Sequence, residues 1–197
     1  DVVITQSGTG THGFMIKQGA SGPVGSVEIS GIKVVGGQEG VFVSGSDQNT
    51  TVSALTVTNS TFVGQSTAGL HLALENQAHS LGTLTVTNVV FDQSGSAGSS
   101  INIENNGKNV YTGIRAYGFD GSGSLTDVLV KGVPSSALSQ LSTSAQYGVL
   151  FQGASSNNLG ANRDNKALPA DGPVMGAVAL NNVDVVGGFA KNGVAIY

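Results

Sequence analysis

The segment LTVTNSTFVGQSTAGLHL, from Leu55 to Leu72, is followed by LTVTNVVFDQSGSAGSSINI, from Leu84 to Ile103, so the two copies start 29 residues apart. A chain that repeats one unit at a fixed interval is constrained to a repeat architecture. Each unit is too small to bury its own apolar side and is stabilised by the units beside it. The interval runs beyond these two copies. Aligned on a Gly followed by two alternating apolar residues, the quartets are GFMI (13–16), GVFV (40–43), GLHL (69–72), SINI (100–103), DVLV (127–130), GVLF (148–151) and GVAI (193–196). Their spacings are 27, 29, 31, 27, 21 and 45 residues. A second element recurs as VEISGIKVV (27–35), LTVTNSTFV (55–63), LTVTNVVFD (84–92), TGIRAYGFD (112–120) and VALNNVDVV (178–186).

Within one period the pattern alternates with period 2 in three short runs, "LTVT", "STFV" and "GLHL", separated by turn residues such as GQSTA. This predicts three short strands per coil, stacked into parallel sheets. Gly makes up 30 of 197 residues and charged residues only 10%, a balance that favours strands and tight turns over long helices. The expected fold is therefore all-β, a parallel β-helix (solenoid) of about seven coils forming one domain over residues 1–197. A β-sandwich is the competing all-β reading, and it has no reason to keep a fixed period. Residues 134–146 suggest a short helical turn. Residues 154–176 lack periodic apolar positions and read as one long side loop, with Arg163, Asp164, Lys166 and Asp171 as its charged residues.

The corner between the first two strands of each coil falls at Gly31, Asn59, Asn88, Ala116 and Asn182. Gly and Asn accept the left-handed backbone region that such a corner requires. Stacked Asn59, Asn88 and Asn182 resemble the asparagine ladder of right-handed parallel β-helices, the pectin-lyase-like superfamily. That resemblance covers most of the chain and implies the fold. It also implies where chemistry would lie, since polysaccharide-cleaving members carry catalytic groups outward on the third-strand sheet.

On the expected register that outward column reads Met15, Phe42, His71, Asn102, Leu129, Leu150 and Ala195. It lacks the clustered Asp of a hydrolase and the Asp, Arg and Lys of a lyase, which leans against an enzyme of this type. The next outward column brings Glu104 and Lys131 beside His71, and these three are the weak catalytic candidates, because a carboxylate, an imidazole and an amine together can transfer protons. The three His lack zinc-ligand spacing. Asp92 and Asp120 follow Phe91 and Phe119 and are expected at equivalent turns, where two stacked carboxylates would suit calcium. No other cofactor is implied.

Met15, Phe42, Leu129 and Leu150 form an apolar outward stripe, and strands apolar on both faces are usually covered on both. The stripe predicts self-association or packing against neighbouring domains of the same protein. Thr56, Thr58, Thr85 and Thr87 form two Thr-x-Thr rows like those of β-helical ice-binding proteins, but only two rows deep. With eight Lys plus Arg and a net charge of −4 there is no basic stripe for nucleic acid, and no apolar run is long enough to insert in a membrane. Neither end of the sequence shows a capping helix, so the expectation is a segment of a longer solenoid. The function expected is structural or adhesive, in a secreted or cell-surface protein such as an adhesin, surface layer or filament. The alternative is a carbohydrate-active enzyme or a carbohydrate-binding module, with glycans as partners; a phage tail spike and an ice-binding protein follow at greater distance.

Overall fold

The computed structural model describes residues 2–7, 10–18, 22–43, 50–74, 80–92, 94, 103–104, 108–109, 112–132, 147–153, 176–188 and 192–196. In chain order the strands begin with β1 (Val2–Gln6), β2 (His12–Ile16), β3 (Val24–Ser30), β4 (Ile32–Gly36) and β5 (Glu39–Val43). They continue with β6 (Thr51–Val63), β7 (Ala68–Ala73), β8 (Ser80–Asp92), β9 (Ile103–Glu104) and β10 (Lys108–Asn109). The last are β11 (Thr112–Tyr117), β12 (Ser122–Lys131), β13 (Tyr147–Gln152), β14 (Val178–Val186) and β15 (Asn192–Ile196). No helix occurs among the described residues.

Two parallel sheets hold all of these except the small antiparallel pair β9–β10. Sheet A has seven strands, ordered β1-β4-β6-β8-β12-β14 with β3 also paired to β6. Sheet B has six, ordered β2-β5-β7-β11-β13-β15. The chain passes from one sheet to the other and back, adding to each sheet as it goes, an arrangement consistent with a β-solenoid. The repeat met in the sequence is the pairing step. β6 lies against β8 from Thr51↔Ser80 to Val63↔Asp92, each partner 29 residues on.

Two sequence elements sit elsewhere than the fixed period places them. Residues 127–130 belong to β12 in sheet A, where Val128 pairs with Val89 and Val183. The strand of sheet B between β7 and β13 is β11, not residues 100–103. The reason is an insertion: the residues between β8 and β11 include the β9–β10 ribbon, so this pass is longer than its neighbours.

The expected first and second strands of a coil are hydrogen-bonded as one long strand that turns within itself. In β6 and β8 the turning residues are Asn59 and Asn88, with φ of 49° and 54°. Asp127 (54°) and Asn182 (51°) do the same in β12 and β14. Ala116, the residue expected at this corner, is instead a buried sheet B residue, and Asp127 takes the place. One left-handed residue bends the strand without ending its ladder, and short polar side chains tolerate it best. Asn88 Nδ2 donates to Asn59 Oδ1 at 2.8 Å and Asn182 Nδ2 to Asp127 Oδ1 at 2.6 Å, so the corners are also bonded between strands.

The core lies between the sheets and is organised in columns. Val57, Val86 and Leu125 stack from sheet A, and Val41, Leu70, Ile114 and Val149 from sheet B, all at most 1% exposed. Phe62 and Phe91 stack with ring centroids 5.3 Å apart. These rings explain the Gly second in β5 and in β7: a Cβ on Gly40 would collide with Phe62, and one on Gly69 with Phe91. Each buried Leu or Phe contributes roughly 1.5–3 kcal/mol over its exposed state.

Candidate functional site

Hydrogen-bond register sets the outward column of sheet B as Met15, Phe42, His71, Arg115, Leu150 and Ala195. Arg115 stands where residue 102 was expected, so the column does carry a cation. The expected apolar stripe is interrupted in its middle. Leu129 is not on this face at all; it pairs with Val90 and Asp184 in sheet A, half-buried. Leu150, expected in an outward apolar stripe that is covered, is 2% exposed and packs with Tyr147, Ala195 and Tyr117. Met15, at the end of the sheet, is 53% exposed, and Phe42 is half-buried.

Beside this column lies a carboxylate that the sequence did not single out. Glu39 begins β5 in register with His12 of β2. Its Oε2 is 2.6 Å from His12 Nδ1 and its Oε1 is 3.3 Å from His71 Nδ1. The Glu39 side chain is 3% exposed, against 18% for His12 and 10% for His71. An ionised carboxylate only accepts hydrogen bonds, so each imidazole carries a proton on Nδ1 toward it. Burial pushes the His12 imidazole below its ordinary value, which favours the neutral ring with Nε2 unprotonated.

Phe42 lies between the two imidazoles. His12 stacks on it at 4.8 Å between centroids, and His71 lies tilted against it at 5.1 Å. Tyr117 closes the far side, edge-on to His71 at 6.4 Å, with the Arg115 guanidinium 4.5 Å over its ring. With a phenyl ring between them, the imidazoles cannot clamp one ion through Nε2. What the arrangement can do is hold one buried negative charge and two oriented imidazoles, the pairing used for proton transfer.

The sequence candidates are dispersed. His71 belongs to this cluster. Lys131 ends β12 in sheet A, where its Nζ is 3.2 Å from Asp92 Oδ2. Glu104 lies in the β9–β10 ribbon, paired with Lys108, in neither large sheet. Asp92 and Asp120 are not equivalent. Asp92 ends β8 and accepts from the Ser94 N–H at 2.9 Å and hydroxyl at 2.6 Å, whereas Asp120 follows β11 and is exposed. Burial raises the Asp92 carboxyl, but the bonds from Ser94 and the nearby Lys131 outweigh it, leaving the group below the ordinary carboxylate value. Among the described residues no group of three metal-ligating side chains is arranged to hold an ion. Arg163, Asp164, Lys166 and Asp171 lie outside the described residues.

Glu39 was missed because its importance depends on register. One signal was present: His12 and Glu39 each stand directly before the Gly that is second in a sheet B strand. No protein-family model, curated protein or solved structure matches the chain.

Proposed function

We propose that this chain is a structural or adhesive segment of a secreted or cell-surface right-handed parallel β-helix of the pectin-lyase-like type, joined to its neighbours through its coil ends. The observation that carries this reading is where apolar surface is left open. The large hydrophobics exposed among the described residues are Val2, Val3, Met15, Leu180, Val186, Val194 and Ile196. All seven belong to β1, β2, β14 and β15, the outermost strands of the two sheets. Val194 and Ile196 continue the buried columns of Val149 and Phe151, and Leu180 that of Leu125. Among the described residues no further strand covers these core positions, and an open strand edge beside open apolar surface favours association. A chain without Cys is indifferent to an oxidising exterior.

Analytical ultracentrifugation tests the reading. The wild-type chain should associate as its concentration rises, and the triple variant Val2→Ser, Leu180→Ser, Val194→Ser should associate less. A wild-type chain that sediments as a monomer throughout, and shows no difference from the variant in binding an apolar dye, would set it aside.

A carbohydrate-active or carbohydrate-binding role is the second reading, favoured by Glu39 with its two imidazoles and by Arg115 on the same face. It requires polysaccharide turnover or binding that Glu39→Gln abolishes in a folded chain.

A further inference from the structure

His12 and His71 share one carboxylate but not one setting. We infer that Glu39 and the two imidazoles form a one-proton switch: on acidification the cluster takes up a single proton, on His12, while Arg115 keeps His71 neutral. The outer face of sheet B then gains one positive charge at a fixed place. The inference goes beyond the coil-end reading and does not depend on it.

The number of protons follows from the number of charges. The Glu39 side chain is 3% exposed and meets both rings, His12 Nδ1 at 2.6 Å and His71 Nδ1 at 3.3 Å. One negative charge balances one buried imidazolium. A second imidazolium would add a net positive charge to a closed, largely apolar surface.

Three differences decide which ring takes the proton. His12 makes the shorter contact with the carboxylate. Its side chain is 18% exposed against 10% for His71, so its cation gives up less hydration. The third difference is the neighbour. Register sets His71 of β7 directly beside Arg115 of β11, whereas His12 of β2 lies beside Glu39 of β5. Adjacent strands are about 4.8 Å apart, and like charges side by side across them destabilise. The guanidinium is permanently charged and is held 4.5 Å over the Tyr117 ring, which itself stands edge-on to His71.

Among the described residues the charged and titratable groups around the cluster come from four strands. They are Glu39 from β5, His71 from β7, Arg115 and Tyr117 from β11, and His12 from β2 with the exposed Lys17 just past its end. Before uptake Glu39 and Arg115 balance each other at the centre of this set. His12 Nδ1 already donates to Glu39, so the incoming proton enters at Nε2 and the imidazolium keeps its bond to the carboxylate. Burial pushes His12 below its ordinary value, which places the uptake below about pH 6.5.

Imidazole 15N NMR of the wild-type chain, titrated from about pH 8 to about pH 4, follows each ring separately. The variants His12→Gln and His71→Gln assign the signals and tell them from the third histidine, His79. His12 should pass from neutral ring to imidazolium, and His71 should stay neutral with its proton on Nδ1 down to about pH 5. In Arg115→Gln the His71 ring should titrate about one unit higher or more, a tenfold gain in proton affinity. Arg115→Lys, which keeps the charge, should leave His71 as in the wild type. Both rings protonating together in the wild type, His71 protonating in place of His12, or neither titrating before the chain unfolds would each overturn the inference. An unchanged His71 in a folded Arg115→Gln chain would overturn the role given to Arg115.

Discussion

The outer faces of the two sheets are built to the same ladder spacing and treated in opposite ways. On sheet A the outward positions of successive strands are Ser30, Thr58, Thr87 and Thr126 in one column and Glu28, Thr56, Thr85 and Ser124 in the next. The Thr among them are half-exposed, and Thr58 Oγ1 donates to Ser30 Oγ at 2.8 Å. On sheet B the corresponding face holds Glu39, His71 and Leu150, all buried. A hydroxyl column satisfied by water and by its own neighbours costs little to expose and adds β propensity. A buried carboxylate is tolerated only while its hydrogen bonds are kept. The two faces teach that one backbone repeat leaves each outer surface free to be solvated or closed, and that the closed one is where chemistry collects.

Removing the carboxylate should break this contrast most visibly. Glu39→Ala strips two imidazoles of a charged acceptor and should cost about 3 kcal/mol. For a chain of this size that lowers Tm by about 6–12 °C. Thr87→Ala, on the other face, should stay within about 0.5 kcal/mol. Thermal unfolding of the two variants is the measurement. Equal losses would mean that the outer faces contribute alike.

A sharper test uses the same residue type on both faces. Leu150→Ala, in the closed surface, should cost about 2–4 kcal/mol, in the range for buried Leu. Leu129→Ala, half-buried on sheet A, should cost under about 1 kcal/mol. The alignment of the quartets 127–130 and 148–151 put these two leucines, 21 residues apart, in one column, so denaturant unfolding of the pair also tests the observed register.

That misplacement shows what was readable and what was not. The columns of Leu55, Leu84 and Val57, Val86 follow from alternation and the 29-residue step, because identical strands stack in register. The left-handed corners at Asn59, Asn88 and Asn182 follow from residue type. Periodicity fails where the chain inserts residues, since an insertion shifts everything after it without altering any local pattern. Gly113 was the available correction: it is second in β11 as Gly40 and Gly69 are second in β5 and β7, while the quartets 100–103 and 127–130 begin without Gly. The cluster at Glu39 was harder still. His12, Glu39 and His71 are separated by 27 and 32 residues and meet only once three strands are correctly aligned.

The smallest expected effect separates the faces by pH. His12, on the sheet B side, has its folded value pushed below the ordinary histidine value by burial. Its contribution to stability is then fully present above about pH 6.5 and is lost as pH falls through the folded value. Asp92, at the end of β8 in sheet A, is also held below its ordinary value, despite burial, by Ser94 and Lys131. Its contribution is present above about pH 3.9 and is lost only in more acidic solution. Both groups thus weaken the fold on acidification, in separate windows. His12→Gln should flatten the upper one and leave the lower; Asp92→Asn should do the reverse, and by less, since the Asp92–Lys131 pair is partly exposed and screened. Stability measured from pH 8 to pH 3 decides it. A wild-type chain that gains stability as pH falls through 6.5 would show that the Glu39 charge, not burial, governs His12, and that sheet B closes over an imidazolium rather than a neutral ring.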